Sequence, residues 1–235
     1  MIETAQIVTF PGGSMPQLNG YLARPEPGLS RDEGGDGPFP AVVVIHEAFG
    51  LNDDIRDIAR RFATAGYVAL AVDLFGDRNK VVCMFRFMRG MLFNSLEHSG
   101  IHDLKAALTY LGAQPGVDSA RLGAVGYCMG GSLSIAWSCT DDRLKAIAPY
   151  YAMNPRPIEA VARACPVVGS YPDPDFTAKA AHKLDQALDQ YNTPHDIKLY
   201  PGAKHSFFNA GRNHNAAAAQ DSWERVLAFF KQHIG

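Results

Sequence analysis

The sequence predicts a mostly parallel, doubly wound α/β sheet entered through an N-terminal antiparallel hairpin. Two observations carry this. Continuous apolar runs at Ala41 to Ile45, Val68 to Val72, Leu122 to Val125, Leu144 to Ala148 and Val167 to Tyr171 suit strands covered on both faces, as parallel strands are. Amphipathic helical segments lie between them, and alternation of strand and helix builds a parallel sheet through crossover connections.

Taken in order, Thr4 to Phe10 and Leu18 to Ala23 alternate apolar and polar residues around Pro11-Gly12-Gly13-Ser14, the pattern of a hairpin, expected at the edge of the sheet. Pro25 to Pro40 contains Asp32-Glu33-Gly34-Gly35-Asp36-Gly37, too polar to bury area, and reads as a mobile surface loop. Asp53 or Asp54 can cap a helix through about Ala65 that stops at Gly66. Ile101 to Leu111, Ala178 to Tyr191 and Ala216 to His233 repeat the helical spacing, and His195 to Tyr200 is the last strand. Leu74 to Leu96, rich in Phe and Met, reads as a helix packed on the core.

A chain of 235 residues with 47% hydrophobic composition can bury one core, so a single domain over 1–235 is expected. Lys and Arg number 22 against 24 Asp and Glu, which leaves neither a basic stripe for nucleic acid nor a polybasic patch for a membrane. Glu3 stands where a signal peptide needs bases, and no apolar run reaches the roughly 18 residues of a membrane span. A cytoplasmic protein, monomeric or homodimeric, is the expectation. Cys83, Cys128, Cys139 and Cys165 form no C-x-x-C pair, so disulfides are not expected. No H-E-x-x-H or other two-histidine spacing points to a metal, and no cofactor is expected.

Chemistry concentrates at Gly126-Tyr127-Cys128-Met129-Gly130-Gly131, where an apolar strand ends in a tight turn and a small-residue helix begins. This is the layout of a nucleophile elbow, G-x-S-x-G, with cysteine in place of serine. The helix N-terminus is expected to favour thiolate over thiol at Cys128. Such a nucleophile needs a base and an acid behind the base, in the chain order nucleophile, acid, histidine. His205, in the loop after the last strand, is the candidate base. Asp175, in Pro172-Asp173-Pro174-Asp175-Phe176-Thr177, is the candidate acid, with Asp173 its near rival. The loop Ile45-His46-Glu47-Ala48-Phe49-Gly50-Leu51-Asn52 opens on the same crevice, where the backbone N–H groups of Ala48 and Met129 could form an oxyanion hole. Glu47 adds a carboxylate near the thiol, although spacing alone favours reading His46-Glu47 as a loop pair bonded to the backbone.

The segments VVIHEAFGLN (Val43 to Asn52), GYCMGG (Gly126 to Gly131) and YPGAKHSF (Tyr200 to Phe207) together resemble the dienelactone hydrolase family. The resemblance covers essentially the whole chain. It implies an α/β-hydrolase fold and a Cys-His-Asp triad of Cys128, His205 and Asp175. It also implies that Glu47 holds the resting thiol neutral until substrate displaces it, then takes its proton. Family members that open anionic dienelactones bind the substrate carboxylate with arginines, one of them shortly after the histidine. Here that position is Asn209, and Arg78, Lys80, Arg86, Arg89 and Arg212 are the substitutes the chain offers.

The implied reaction is attack of Cys128 on an activated ester or lactone, a thioester intermediate, and release of the acid by water that His205 activates. The partner is then a small-molecule ester or lactone, and the Phe- and Met-rich segment could wall an aromatic or alkyl group. A redox-sensing cysteine on the same fold is the alternative; it would not need His205 or Asp175. A dinucleotide module is disfavoured because Gly126 to Gly131 lacks G-x-G-x-x-G spacing.

Overall fold

Strand side chains alternate between the two faces of a sheet, and that alternation sets the layers of this protein. In the computed structural model, which describes residues 5–26, 38–76, 80–93 and 95–235, Ala41, Val43 and Ile45 enter one buried cluster while Val42 and Val44 enter another. Val68, Leu70 and Val72 separate from Ala69 and Ala71 in the same way. Strands covered on both faces need no polar side, hence the continuous apolar runs.

The eight strands are β1 (Ala5–Pro11), β2 (Gln17–Ala23), β3 (Phe39–Ile45), β4 (Val68–Asp73), β5 (Val117–Tyr127), β6 (Leu144–Tyr150), β7 (Val167–Asp173) and β8 (His195–Pro201). They form one sheet in the order β1-β2-β4-β3-β5-β6-β7-β8. β1 with β2 and β2 with β4 pair antiparallel, and every other pair is parallel. The hairpin therefore does edge a mostly parallel sheet.

The helices are α1 (Asp53–Thr64), α2 (Lys80–Phe93), α3 (Ser99–Gly112), α4 (Met129–Ser138), α5 (Ala178–Gln190) and α6 (Ala216–Ile234). α1 and α6 cover one face through Ile55, Phe62, Trp223 and Phe230, and α3, α4 and α5 cover the other through Leu104, Leu133 and Leu184. Burying each such side chain stabilises the fold by about 1.5–3 kcal/mol.

Three details differ from the sequence reading. The cap of α1 is Asn52, whose Oδ1 accepts the Ile55 N–H at 3.1 Å, while Asp53 and Asp54 occupy the first turn and complement the helix dipole. β5 starts at Val117 because its pairing with β3 shifts between Phe39 and Ala41, so polar residues before Leu122 can be extended without being buried. In α2, Phe87 and Met91 are buried, but Val82, Phe85, Met88 and Phe93 are exposed, so this helix packs by one side only. Arg78, most of the Pro25 to Pro40 loop and the side chains of Lys80 and Arg86 lie outside the described residues.

A long-range tie holds the hairpin down. Asp103 of α3 is buried, and its Oδ1 accepts the N–H groups of Gly13, Ser14 and Met15 at 3.0, 2.7 and 3.1 Å. The turn thus finds its acceptor about ninety residues away in sequence, and the buried carboxylate is in turn paired by these donors. Strand order reverses between β3 and β5: β4 lies beyond β3 on one side, and β6, β7 and β8 follow β5 on the other. Above the carboxyl ends of two such strands the crossovers part, and an open α/β sheet forms its crevice there.

Candidate active site

Cys128 follows β5 at that switch point and has φ 53° and ψ −108°, a conformation that costs a side-chain-bearing residue on the order of 1–3 kcal/mol. The surrounding structure holds it there. Its N–H donates to Tyr150 O at 3.0 Å, and its carbonyl accepts both the N–H and the hydroxyl of Ser132, each at 3.0 Å. A Cβ on Gly126 would fall 2.2 Å from Gly130 O, and one on Gly130 only 2.4 Å from Ile45 O. Glycine at both positions is therefore a requirement of backbone approach. The thiol itself is half-buried.

His205 lies in the loop between β8 and α6. That loop is anchored at several points: Asn213 Nδ2 donates to His205 O at 2.9 Å, and Asn215 N–H donates to Phe207 O at 3.0 Å. His205 Nδ1 lies 3.3 Å from Asp175 Oδ1. The same carboxyl oxygen accepts the Thr177 N–H at 2.9 Å and the Thr177 hydroxyl at 2.5 Å, so Asp175 is both the imidazole's partner and the polar cap of the turn entering α5. Asp173 instead accepts the Gly202 N–H through its main-chain carbonyl. Phe176 stacks on the His205 ring at 4.9 Å and 22°, and Tyr151 tilts against it, also at 4.9 Å.

Glu47 is only 4% exposed and accepts the Ser206 hydroxyl on Oε1 at 2.9 Å. Neighbouring His46 is a backbone tie. Its Nε2 accepts the Leu74 N–H at 3.0 Å, which leaves the proton on Nδ1 to donate to Glu47 O at 2.6 Å. The loop-pair reading thus fits His46, while Glu47 turns toward Ser206. A turn between Glu47 and Gly50 is closed by the Gly50 N–H on Glu47 O at 3.2 Å and contains Ala48, and Met129 opens α4.

The charge state of the cysteine departs from the expectation. The Cys128 thiol is pushed up from 9.0 to about 11, by burial first and then by the Glu47 charge, with Asp175 adding to the rise. A backbone hydrogen bond from Met129 lowers it, but by less. The helix N-terminus is outweighed, and the resting group is the thiol. Both carboxylates act on the sulfur, so Cys128, Glu47 and Asp175 share one local field. The Tyr151 phenol is raised well above its ordinary range by burial and then by Glu47.

Two participants carried no sequence signal. Ser206, at φ 64°, and Tyr151, at φ 39°, are ordinary residues in sequence, and only the folded chain brings them to Glu47 and His205. Asn209 is buried, and its Oδ1 has no hydrogen-bond partner among the described residues. It lines a cavity of about 420 Å³ together with Glu47, Ser206 and Arg212. Arg89 is exposed on α2. A smaller space of about 50 Å³ lies between α2 and α4, lined by Cys83, Phe87, Met129 and Leu133.

Comparison with known proteins identifies the family and the fold. A protein of Saccharolobus solfataricus, named provisionally as a carboxymethylenebutenolidase, is 31% identical over 92% of this chain and 94% of its own length. A relative from Escherichia coli K12 with the same provisional name is 31% identical over 95% of this chain and 84% of its own. Among solved structures, a dienelactone hydrolase-like promiscuous phosphotriesterase from metagenomic libraries superposes with a TM-score of 0.84 at 26% identity over the full length of both chains. The fold is that of the α/β-hydrolase enzymes. The dienelactone hydrolase family profile matches residues 19–234, and with the elbow at the end of β5 and the acid and histidine loops after β7 and β8, the chain belongs to the dienelactone hydrolase family.

Proposed function

We propose that this hydrolase cleaves activated esters and lactones through a thioester on Cys128, with His205 and Asp175 completing the triad and Glu47 controlling the thiol. The contact between His205 and Asp175, together with the action of the Asp175 charge on the Cys128 sulfur, is the observation that carries the reading. At rest the thiol is protonated and inert. A substrate that displaces Glu47 from beside the sulfur brings the carboxylate into play as proton acceptor. Sulfur then attacks the carbonyl carbon, and the Ala48 and Met129 N–H groups receive the oxyanion.

Collapse of the tetrahedral intermediate breaks the bond to the alcohol or enol oxygen, which recovers the proton held by Glu47. His205 next removes a proton from water, whose oxygen attacks the thioester, and the acid departs as the thiol is restored. Thiolate is a good leaving group, so the first step runs forward only when the departing oxygen leaves at least as easily. Activated esters and enol-lactones satisfy this, and ordinary amides do not. A sensing role is disfavoured, since oxidant sensors rely on an acidified thiol and this one is raised.

The test is turnover of a chromogenic aryl ester by the native protein and by Cys128→Ala. Acid quenching of the native reaction should show one acyl group on the peptide containing Cys128, and the variant should lose hydrolysis while keeping its circular dichroism. Hydrolysis at a comparable rate in Cys128→Ala would overturn the assignment.

A further inference from the structure

An imidazole that is to act in a fixed direction needs two things held: the place of its Nδ1 and the tilt of its ring plane. Asp175 holds the place of the His205 Nδ1, and only loosely. Its Oδ1 lies 3.3 Å from that nitrogen while also accepting the N–H and the hydroxyl of Thr177, beyond the roughly 2.7–3.2 Å of a full N–H···O bond. The tilt is governed by a torsion onto an sp² carbon, which is broad and soft. Neighbouring groups must set it.

Phe176 is placed to do so. Its ring lies 4.9 Å from that of His205 and within 22° of parallel, whereas Tyr151 meets the imidazole at 53°. Phe176 is also 66% exposed, so filling the core does not account for its position. Its backbone is nonetheless fixed. Ala178 N–H donates to Asp175 O at 3.1 Å, and Thr177, which is fully buried, is bonded to the Asp175 carboxyl. One closed turn therefore delivers both the acid and the stacked ring to His205.

We propose that Phe176 is a positioning residue for His205: its exposed ring fixes the tilt of the imidazole and so the direction in which Nε2 meets water. The inference rests on the ester-hydrolase reading for its kinetic consequence, not for the ring contact. In that reading Nε2 takes a proton from water, the water oxygen bonds to the acyl carbon, and the carbon–sulfur bond breaks as the proton passes to Cys128. Glu47, not His205, serves the earlier attack. Loosening the ring should therefore slow release of the acid and spare formation of the thioester. Aromatic pairing of this kind corresponds to a rate effect of about threefold to tenfold.

The test follows phenyl acetate with the native protein and with Phe176→Ala, Phe176→Leu and Phe176→Tyr, using rapid acid quenching to time the arrival and the loss of the acetyl group on the Cys128 peptide. In the Ala and Leu variants loss should slow about threefold to tenfold with arrival unchanged, and Phe176→Tyr, which keeps a flat ring, should match the native protein. In protein carrying carbon-13 at histidine Cε1, the order parameter of the His205 signal, assigned by its disappearance in His205→Gln, should fall in Phe176→Ala and not in Phe176→Tyr. An unchanged order parameter in Phe176→Ala overturns the inference. So do a fall in both rates, a rise in KM alone, or failure of Phe176→Tyr to match the native protein, which would make Phe176 a structural or substrate contact. The two readings fail separately. No acetyl group on Cys128 in the native protein refutes the hydrolase mechanism and leaves the order parameter to decide the positioning; a loosened ring with unchanged acetyl loss keeps the positioning and removes His205 from the hydrolysis.

Discussion

Replacing Glu47 with glutamine should make the resting cysteine more reactive toward a simple electrophile and the enzyme slower toward its ester. The Cys128 thiol stands at about 11 instead of 9.0, so at pH 7 its thiolate fraction is about 10⁻⁴ in place of about 10⁻². That difference corresponds to about 3 kcal/mol favouring the protonated form. Burial is the first cause and remains in the variant, so loss of the Glu47 charge recovers the smaller share, and the thiolate at neutral pH should rise about threefold to tenfold. The sign is fixed by the direction of the shift: a raised thiol pKa keeps the group protonated through neutral pH, and lowering it moves the onset of reactivity to lower pH.

Iodoacetamide labelling as a function of pH, followed on the peptide containing Cys128 because Cys83 and Cys165 are also partly exposed, measures this. The native rate should still be climbing above about pH 9, and the Glu47→Gln profile should shift to lower pH. Turnover of an aryl ester at pH 7 should fall by about 10²-fold, through loss of the proton acceptor. A native profile that levels off below pH 9, or one that Glu47→Gln leaves unmoved, would refute the electrostatic account of the resting thiol.

Asp175→Asn should preserve the bond to Thr177 while removing the charge that holds His205, and kcat for an aryl ester should drop by about 10³- to 10⁴-fold with little change in the urea midpoint. An unchanged kcat would show that the 3.3 Å contact has no part in turnover. Asp103→Ala tests the hairpin tie instead: three N–H groups and the Ser14 hydroxyl lose their acceptor, for a loss of about 2–4 kcal/mol in urea denaturation. Catalysis below the transition should persist, because the hairpin turn does not line the crevice.

The strands and most helices were legible because their signals are local. Val42 and Val44 need only their own neighbours to show that both faces of β3 are buried, and Gly126 and Gly130 mark the elbow because a tight backbone turn leaves no space for a Cβ. The order of nucleophile, acid and histidine along the chain could be read for the same reason, each lying just past an apolar run. Asn52 was missed as the cap of α1 because Asp53 and Asp54 beside it are equally good cap residues in sequence, and only the backbone angles separate them.

What the amino-acid order determined by itself is therefore the sheet, the elbow and the position of each candidate loop. The folded chain set Asp175 against His205 and joined Ser206 to Glu47 across 159 residues. It also left the Asn209 side-chain oxygen buried with no hydrogen-bond partner among the described residues and set the Cys128 thiol at about 11. These outcomes depend on burial and on charges brought together from distant segments, and both arise only when the chain closes around them.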